Sequence, residues 1–378
     1  MLYFDYSATT PMSDHALDTY QHIAKQYYAN SQSLHTLGQE AEDILAISRR
    51  TIAASLPPAR PDDIYFTGSG SEATFLALTG LAIAHKVKGK TILTTEGEHH
   101  SVHQALAFLH EREGFHIRYL PVNQYGQVTE EALRSAIDED TILVTIGHAN
   151  SEIGTIQDLA ALGKILAEHA ILFHSDCVQT FGKLPIPLDV LTSASFSAHK
   201  CYGPKGVGAA YLQHAVGWAP FFHGTTHENG FRAGTVDVPA IAAFAAAIEE
   251  LSANAHAEMS RLAQYRNEFV KAFADHPDVC FEGHPTVRLP FHIALRAKGM
   301  EGQLLMLECN RKGFAISTGS ACRAGQSSPS RTLVSIGRSA EEAHELVRIT
   351  FGKHTTKQEV MQLIEAIKEI LLSYKGDG

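Results

Sequence analysis

From residue 64 to residue 212 the chain alternates short apolar runs with helical stretches, and this rhythm constrains the fold more than any other feature. Ile64–Thr67, Thr91–Thr95, Ile117–Pro121, Thr141–Gly147, Ala170–His174, Ser193–Ser197 and Val207–Leu212 read as strands. Helical patterns fill the gaps at Glu72–Ala84, Val102–Arg112, Glu130–Ile137 and Asp158–His169. Strands this apolar, joined by helices, predict an α/β fold: a mostly parallel, seven-stranded sheet covered by helices. In such sheets ligands sit beyond the carboxyl ends of the strands, so functional residues are sought there.

The flanking regions extend this plan. Met1 to Thr10 reads as an extended lead-in, followed by a mixture of helix and the irregular segment 29–35. A helix from Gln39 to Leu56 is stopped by Pro57-Pro58. The Ala-rich run Ile241–Ile248, continuing through Phe273, predicts a long helix that bridges to a second, smaller α+β domain. That domain would hold the stretch Val287–Leu295, a helix at Gly302–Lys312, the loop Ser317–Pro329, a strand at Val347–Phe351 and a last helix at Lys357–Tyr374. A length of 378 residues exceeds one small core and favours two domains.

Charge and cysteine content exclude several classes. A net charge of −10 argues against nucleic acid or an anionic membrane as the main partner. No apolar run is long enough to span a bilayer, and Met1-Leu2-Tyr3-Phe4-Asp5 lacks the regions of a signal peptide. The five cysteines are odd in number and contain no Cys-x-x-Cys pair, which fits free thiols in a reducing cytoplasm. His99, His100 and His103 lack an accompanying carboxylate cluster, so no metal site is predicted.

Four stretches at predicted strand or helix ends carry chemistry. In Ser197-Ala198-His199-Lys200, the lysine sits where strand gives way to a Gly- and Pro-rich turn. Its amine either stays solvated or is desolvated and attacks a carbonyl. Gly68-Ser69-Gly70-Ser71 either caps a helix or cups a phosphate on free N–H groups. Asp176 either caps a helix or holds a heterocyclic nitrogen protonated. In the small-residue loop Ser317–Gln326, Arg323 beside Cys322 favours the thiolate, although a thiol without a role is the alternative. Cys280 and Cys309 fall within strand and helix patterns and read as inert.

Together these motifs resemble those of the NifS-like cysteine desulfurases, pyridoxal-phosphate enzymes of fold type I related to class V aminotransferases. The resemblance runs from Tyr3-Phe4-Asp5-Tyr6-Ser7-Ala8-Thr9-Thr10-Pro11 to Val347-Arg348-Ile349-Thr350-Phe351-Gly352. It is most specific at Ser197–Lys200 with the following Tyr-Gly-Pro-Lys-Gly, and at Ser317–Cys322. It implies a large cofactor-binding domain over 14–252 and a small domain built from 1–13 and 253–378. Lys200 matches the lysine that holds pyridoxal phosphate covalently, and Asp176 the carboxylate paired with its pyridine nitrogen. Gln179 and Asn150 match residues around the ring hydroxyl, and His99 the imidazole stacked on the ring. Gly70, Ser71, Ser197 and His199 match the phosphate cup. Thr235 matches a threonine contributed by the second subunit, which implies a homodimer. Arg348 matches the arginine that grips the substrate carboxylate, and Asn30 and His35 match residues near that pocket. Cys322 matches the nucleophile that takes sulfur from L-cysteine, releases L-alanine and passes its persulfide to an acceptor protein in iron–sulfur or thio-cofactor assembly. Asn229 stands where an arginine is usual. The rival readings are a selenocysteine lyase, an aminotransferase, which needs no thiol at 322, and a silent sulfur-transfer partner.

Overall fold

The computed structural model describes residues 1–319 and 329–376. The chain opens with strand β1 (Leu2–Tyr3) and helices α1 (Asp14–Gln26) and α2 (Thr36–Ala54). Strand and helix then alternate through β2 (Ile64–Thr67), α3 (Gly70–His85), β3 (Thr91–Thr94), α4 (His100–Glu113) and β4 (His116–Tyr119). The pattern continues with α5 (Glu130–Ala136), β5 (Thr141–Thr145), α6 (Leu159–Glu168) and β6 (Leu172–Asp176). Strands β7 (Ser193–Ser197) and β8 (Gly208–Leu212) end the series.

These strands form a seven-stranded sheet in the order β2-β8-β7-β6-β5-β3-β4. Only β8 runs antiparallel to its neighbours, β2 and β7. The remaining pairs are parallel, as the βαβ rhythm requires. All five residues of β5, β7 and β8 are buried, which explains why these strands read as unbroken rather than alternating patterns.

Helix α7 (Val238–Ala272) is 35 residues long, about 50 Å at 1.5 Å per residue. Its first half, with Ile241, Phe244 and Ile248, packs into the hydrophobic cluster that also contains Phe66, Phe173 and Phe196 of the large sheet. Its second half, with Met259, Leu262 and Phe269, belongs to a separate cluster. There it meets β9 (Val279–Phe281), β10 (His292–Ala297), α8 (Gly302–Arg311), β11 (Phe314–Ala315) and β12 (Ser317–Thr318). After α9 (Arg331–Ser335) and α10 (Ala340–His344), β13 (Leu346–Thr350) completes a four-stranded antiparallel sheet, β12-β13-β10-β9. Helix α11 (Lys357–Gly376) covers it with Val360, Leu363, Ile364 and Ile367. Phe4 joins this second cluster, and β1 pairs in parallel with β11.

Within Val287–Leu295 the strand begins only at His292. Pro290 lacks an N–H for a ladder, and buried Arg288 turns its guanidinium onto the carbonyls of Glu282, Ile153 and His292. Strand β9 carries Cys280 between two apolar residues, where the sequence pattern places a strand.

Candidate active site

Most of the residues singled out in the sequence converge on one cavity of about 240 Å³ at the carboxyl ends of β5, β6 and β7. Buried strand β7 stops at Ser197 because a 3₁₀ turn, Ala198–Lys200, follows and Tyr202 then takes a positive φ of 62°. This break turns Lys200 into the cavity wall. Its amine donates to the backbone carbonyls of Ser7 at 2.5 Å and Ala8 at 2.7 Å. On the adjacent strand Asp176 is the last residue of β6, two positions beyond the predicted end, in register with Ser195. Its Oδ1 accepts the Val178 N–H at 2.9 Å, so it caps a turn as well as lining the cavity. Burial raises the Asp176 pKa, partly offset by His99, by the Val178 N–H and by the Lys200 charge.

An anion cup lies beside these groups. Ser69 caps α3 by accepting the Glu72 N–H at 3.1 Å, and the first helical turn leaves the N–H groups of Gly70 and Ser71 outside the helix's own bonds. A Cβ on Gly70 would lie 2.9 Å from Ser197 Cβ, and one on Gly208 would lie 2.7 Å from Gly70 N. Only glycine at both positions lets the helix start press against the sheet. His199 Nδ1 lies 3.1 Å from Thr9 Oγ1, and burial, reinforced by nearby lysines, lowers its pKa to about 4. Its imidazole is therefore neutral at physiological pH. Arg232 pairs with Glu72 at 3.1 Å, which also accepts the Gly68 N–H, so this arginine braces the turn from outside. That brace rests on Arg232 and does not involve Asn229.

His99 caps α4: its Nδ1 accepts the Ser101 N–H at 3.2 Å, which places the ring proton on Nε2. Neighbouring Glu98, absent from the sequence reading, spans two strand ends. It accepts the Thr95 hydroxyl at 2.8 Å and the Gly147 N–H at 2.9 Å. Burial, with help from Asp176, pushes its pKa up to about 8. An acid raised on folding keeps its proton while the unfolded chain ionises, so it costs stability as pH climbs from its ordinary 4.5 towards 8. Glu98→Gln can still accept from Gly147 and donate to the Thr95 hydroxyl. It should leave the Tm unchanged near pH 4.5 and raise it relative to the parent at pH 8. Thermal denaturation at both pH values checks this; a pH-independent difference would mean that Glu98 ionises freely.

Asn150 lines the cavity, but its amide is committed within the chain. It donates to Gly97 O at 2.9 Å and Thr332 Oγ1 at 3.3 Å, and accepts from the N–H groups of Glu152 and Ile153. Gln179 is more available: its Nε2 donates to Ser7 O at 3.2 Å, while its buried Oε1 has no protein partner among the described residues.

Arg348, on β13, closes the cavity from the four-stranded sheet and is 3% exposed. Its Nη2 pairs with Asp5 Oδ1 at 2.8 Å, and its Nη1 donates to the carbonyls of Ser151 and Gly319 at 3.1 and 3.2 Å. The lead-in around Asp5 is thus part of the site. Besides Lys200 and Arg348, it engages Thr350, whose Oγ1 accepts the Ser7 N–H at 2.9 Å. Thr10 O–H and N–H both donate to His199 O, at 3.0 and 2.8 Å. The sequence reading missed these roles; a carboxylate at position 5, among aromatic residues that seek a core, was the one signal available.

Three predicted residues do not reach the cavity. Asn30 is exposed and accepts the Gln32 N–H, His35 is exposed and caps α2, and Thr235 is exposed. Cys322 lies outside the described residues. Cys280 and Cys309 fall on β9 and α8 as expected. Burial raises the thiol pKa of Cys177 and Cys201, and that of Cys309 to about 12, so these three stay protonated.

The donor set suits pyridoxal phosphate: an amine and a carboxylate on adjacent strand ends, the His99 imidazole in the same cavity wall, a helix N-terminus for the phosphate, and a Gln179 oxygen unpartnered among the described residues. The comparisons with known proteins agree with that class. The chain belongs to the aminotransferase class-V family, whose model matches residues 2–363. It is 46% identical over 377 residues, all of both chains, to a NifS protein of Halalkalibacterium halodurans. It is 38% identical to the cysteine desulfurase IscS of Dictyoglomus turgidum, over 98% of this chain and 94% of that one. A solved structure described as a NifS-like protein superposes with a TM-score of 0.91 at 32% identity, covering 99% of each chain. Within class V, then, the chain is one of the NifS-like cysteine desulfurases.

Proposed function

We propose that this protein takes sulfur from L-cysteine with pyridoxal phosphate as cofactor, giving L-alanine and a persulfide on Cys322 for transfer to an acceptor protein. The observation that carries this reading is the convergence of Lys200, Asp176 and Arg348 on one cavity beside the α3 N-terminus.

Bound pyridoxal phosphate supplies an electron sink that makes proton loss from the substrate's α carbon feasible. Lys200 would hold the group covalently through its amine, and as a free amine would serve as the base at the α carbon. Asp176, buried at the end of β6, would pair with the ring nitrogen and favour its protonated form. Gly70, Ser71, Ser197 and neutral His199 would hold the phosphate. His99, fixed by its bond to Ser101, would pack against the ring, and Gln179 would take the ring hydroxyl. Arg348 orients the substrate carboxylate, where a planar fork matches two oxygens. Cys322 thiolate then attacks the substrate sulfur: an S–S bond forms, the Cβ–S bond breaks, and the electron pair left on carbon takes a proton to give alanine.

Further proposals complete the picture. The chain divides into 14–252 and 1–13 with 253–378, a reading supported by one cluster that holds Phe66, Phe173 and Phe196 and another that holds Phe4, Leu295 and Ile364. Thr235, Asn30 and His35, exposed in one chain, serve the site of a second copy in a homodimer. No helix among the described residues is long and apolar enough to cross a membrane, and the free cysteines suit a cytoplasmic setting.

Incubation with L-cysteine and a thiol reductant tests the reading: alanine and sulfide should appear in equal amounts. Arg348→Gln should raise the KM for L-cysteine on the order of 10²-fold, as loss of a charge-assisted pair implies. Transamination without sulfide release would sink the proposal.

A further inference from the structure

We propose that Asp5 is a positioning residue that sets how tightly Arg348 holds a carboxylate, acting as an internal counter-charge that the substrate must share. This rests on the reading of Arg348 as the carboxylate anchor.

The geometry fixes both partners independently. Arg348 keeps its plane without Asp5, because Nη1 is held by the Ser151 and Gly319 carbonyls. Its Nε is buried without a protein partner among the described residues, so it has donor capacity left. Asp5 is pinned by its backbone: its carbonyl accepts the Ala8 N–H and the Tyr3 hydroxyl, both at 2.9 Å, and the residue bridges Thr350. The two charges therefore face each other at 2.8 Å with little freedom on either side.

A bare buried guanidinium attracts any carboxylate strongly. With Asp5 alongside, an entering carboxylate meets the attraction of Arg348 reduced by repulsion from Asp5. Substrate and product of this reaction carry the same carboxylate. Binding through Arg348 alone would hold L-alanine as firmly as L-cysteine and slow its departure. Asp5 keeps that shared grip moderate.

Asp5→Asn removes the charge and keeps an acceptor for Nη2. It should bind L-alanine more tightly, on the order of tenfold, the low end of what a unit charge a few ångström away exerts. Calorimetric titration of the protein with L-alanine, and the thermal shift L-alanine produces, read this without turnover. In steady state the KM for L-cysteine should fall by a similar factor while kcat does not rise. A merely structural role would weaken binding or leave it unchanged, and either result overturns the proposal. Asp5→Ser repeats the charge change should the Asn variant fail to fold. Arg348→Gln separates the two levels. If it weakens L-alanine binding while Asp5→Asn fails to strengthen it, only the Asp5 proposal falls. If Arg348→Gln changes nothing, the anchor reading falls with it.

Discussion

Cys322→Ala is expected to retain the cofactor's visible absorbance and to lose alanine and sulfide release from L-cysteine by at least about 10³-fold, the scale of removing a nucleophile. None of the four described cysteines competes for the role. Cys177, Cys201 and Cys309 are buried with raised thiol pKa values, and neither they nor Cys280 line the cavity. Cys322 instead follows a run of small residues and precedes Arg323, a cation that favours the thiolate. Parent-like alanine release from the variant would move the nucleophile elsewhere. Trapping with an alkylating agent and mass spectrometry then reports which sulfur carries the extra atom.

Lys200→Ala is expected to be as damaging, losing on the order of 10³-fold or more because both the covalent cofactor link and the base disappear. The Lys200 amine also tethers the carbonyls of Ser7 and Ala8, so an alanine variant loosens the lead-in as well. Lys200→Gln separates the two effects, since its amide can still donate to those carbonyls but cannot form the link. Both variants should lose the parent's visible band and turnover, while only the alanine variant should also lose thermal stability. Activity in either would show that Lys200 is not the attachment point.

The large sheet was legible because its central strands are buried on both faces, β4 at the edge excepted, and its helices follow them at regular intervals. The residues after those strands were legible because an open α/β sheet gathers its functional groups at the carboxyl ends of its strands, whatever structural bonds they also make. What stayed hidden depends on contacts distant in sequence. Glu98 reads as one more charge before a helix until Thr95 and Gly147 are seen to enclose it. Asp5 reads as a polar break in an apolar lead-in until Arg348, 343 residues later, is placed against it. Asn150 carries internal bonds that its sequence does not announce: its amide nitrogen donates to Gly97 and Thr332, and its oxygen accepts the N–H groups of Glu152 and Ile153. Within 287–295 the strand starts only at His292, because Pro290 cannot donate to a ladder and Arg288 is spent on nearby carbonyls.

The lead-in has a consequence for how the pocket assembles. Ser7 and Thr10 reach Thr350 and His199 across 343 and 189 residues of chain. Closing so long a loop carries an entropic cost that no local contact offsets. On refolding, this wall of the pocket is therefore expected to close after the two sheets it joins have formed.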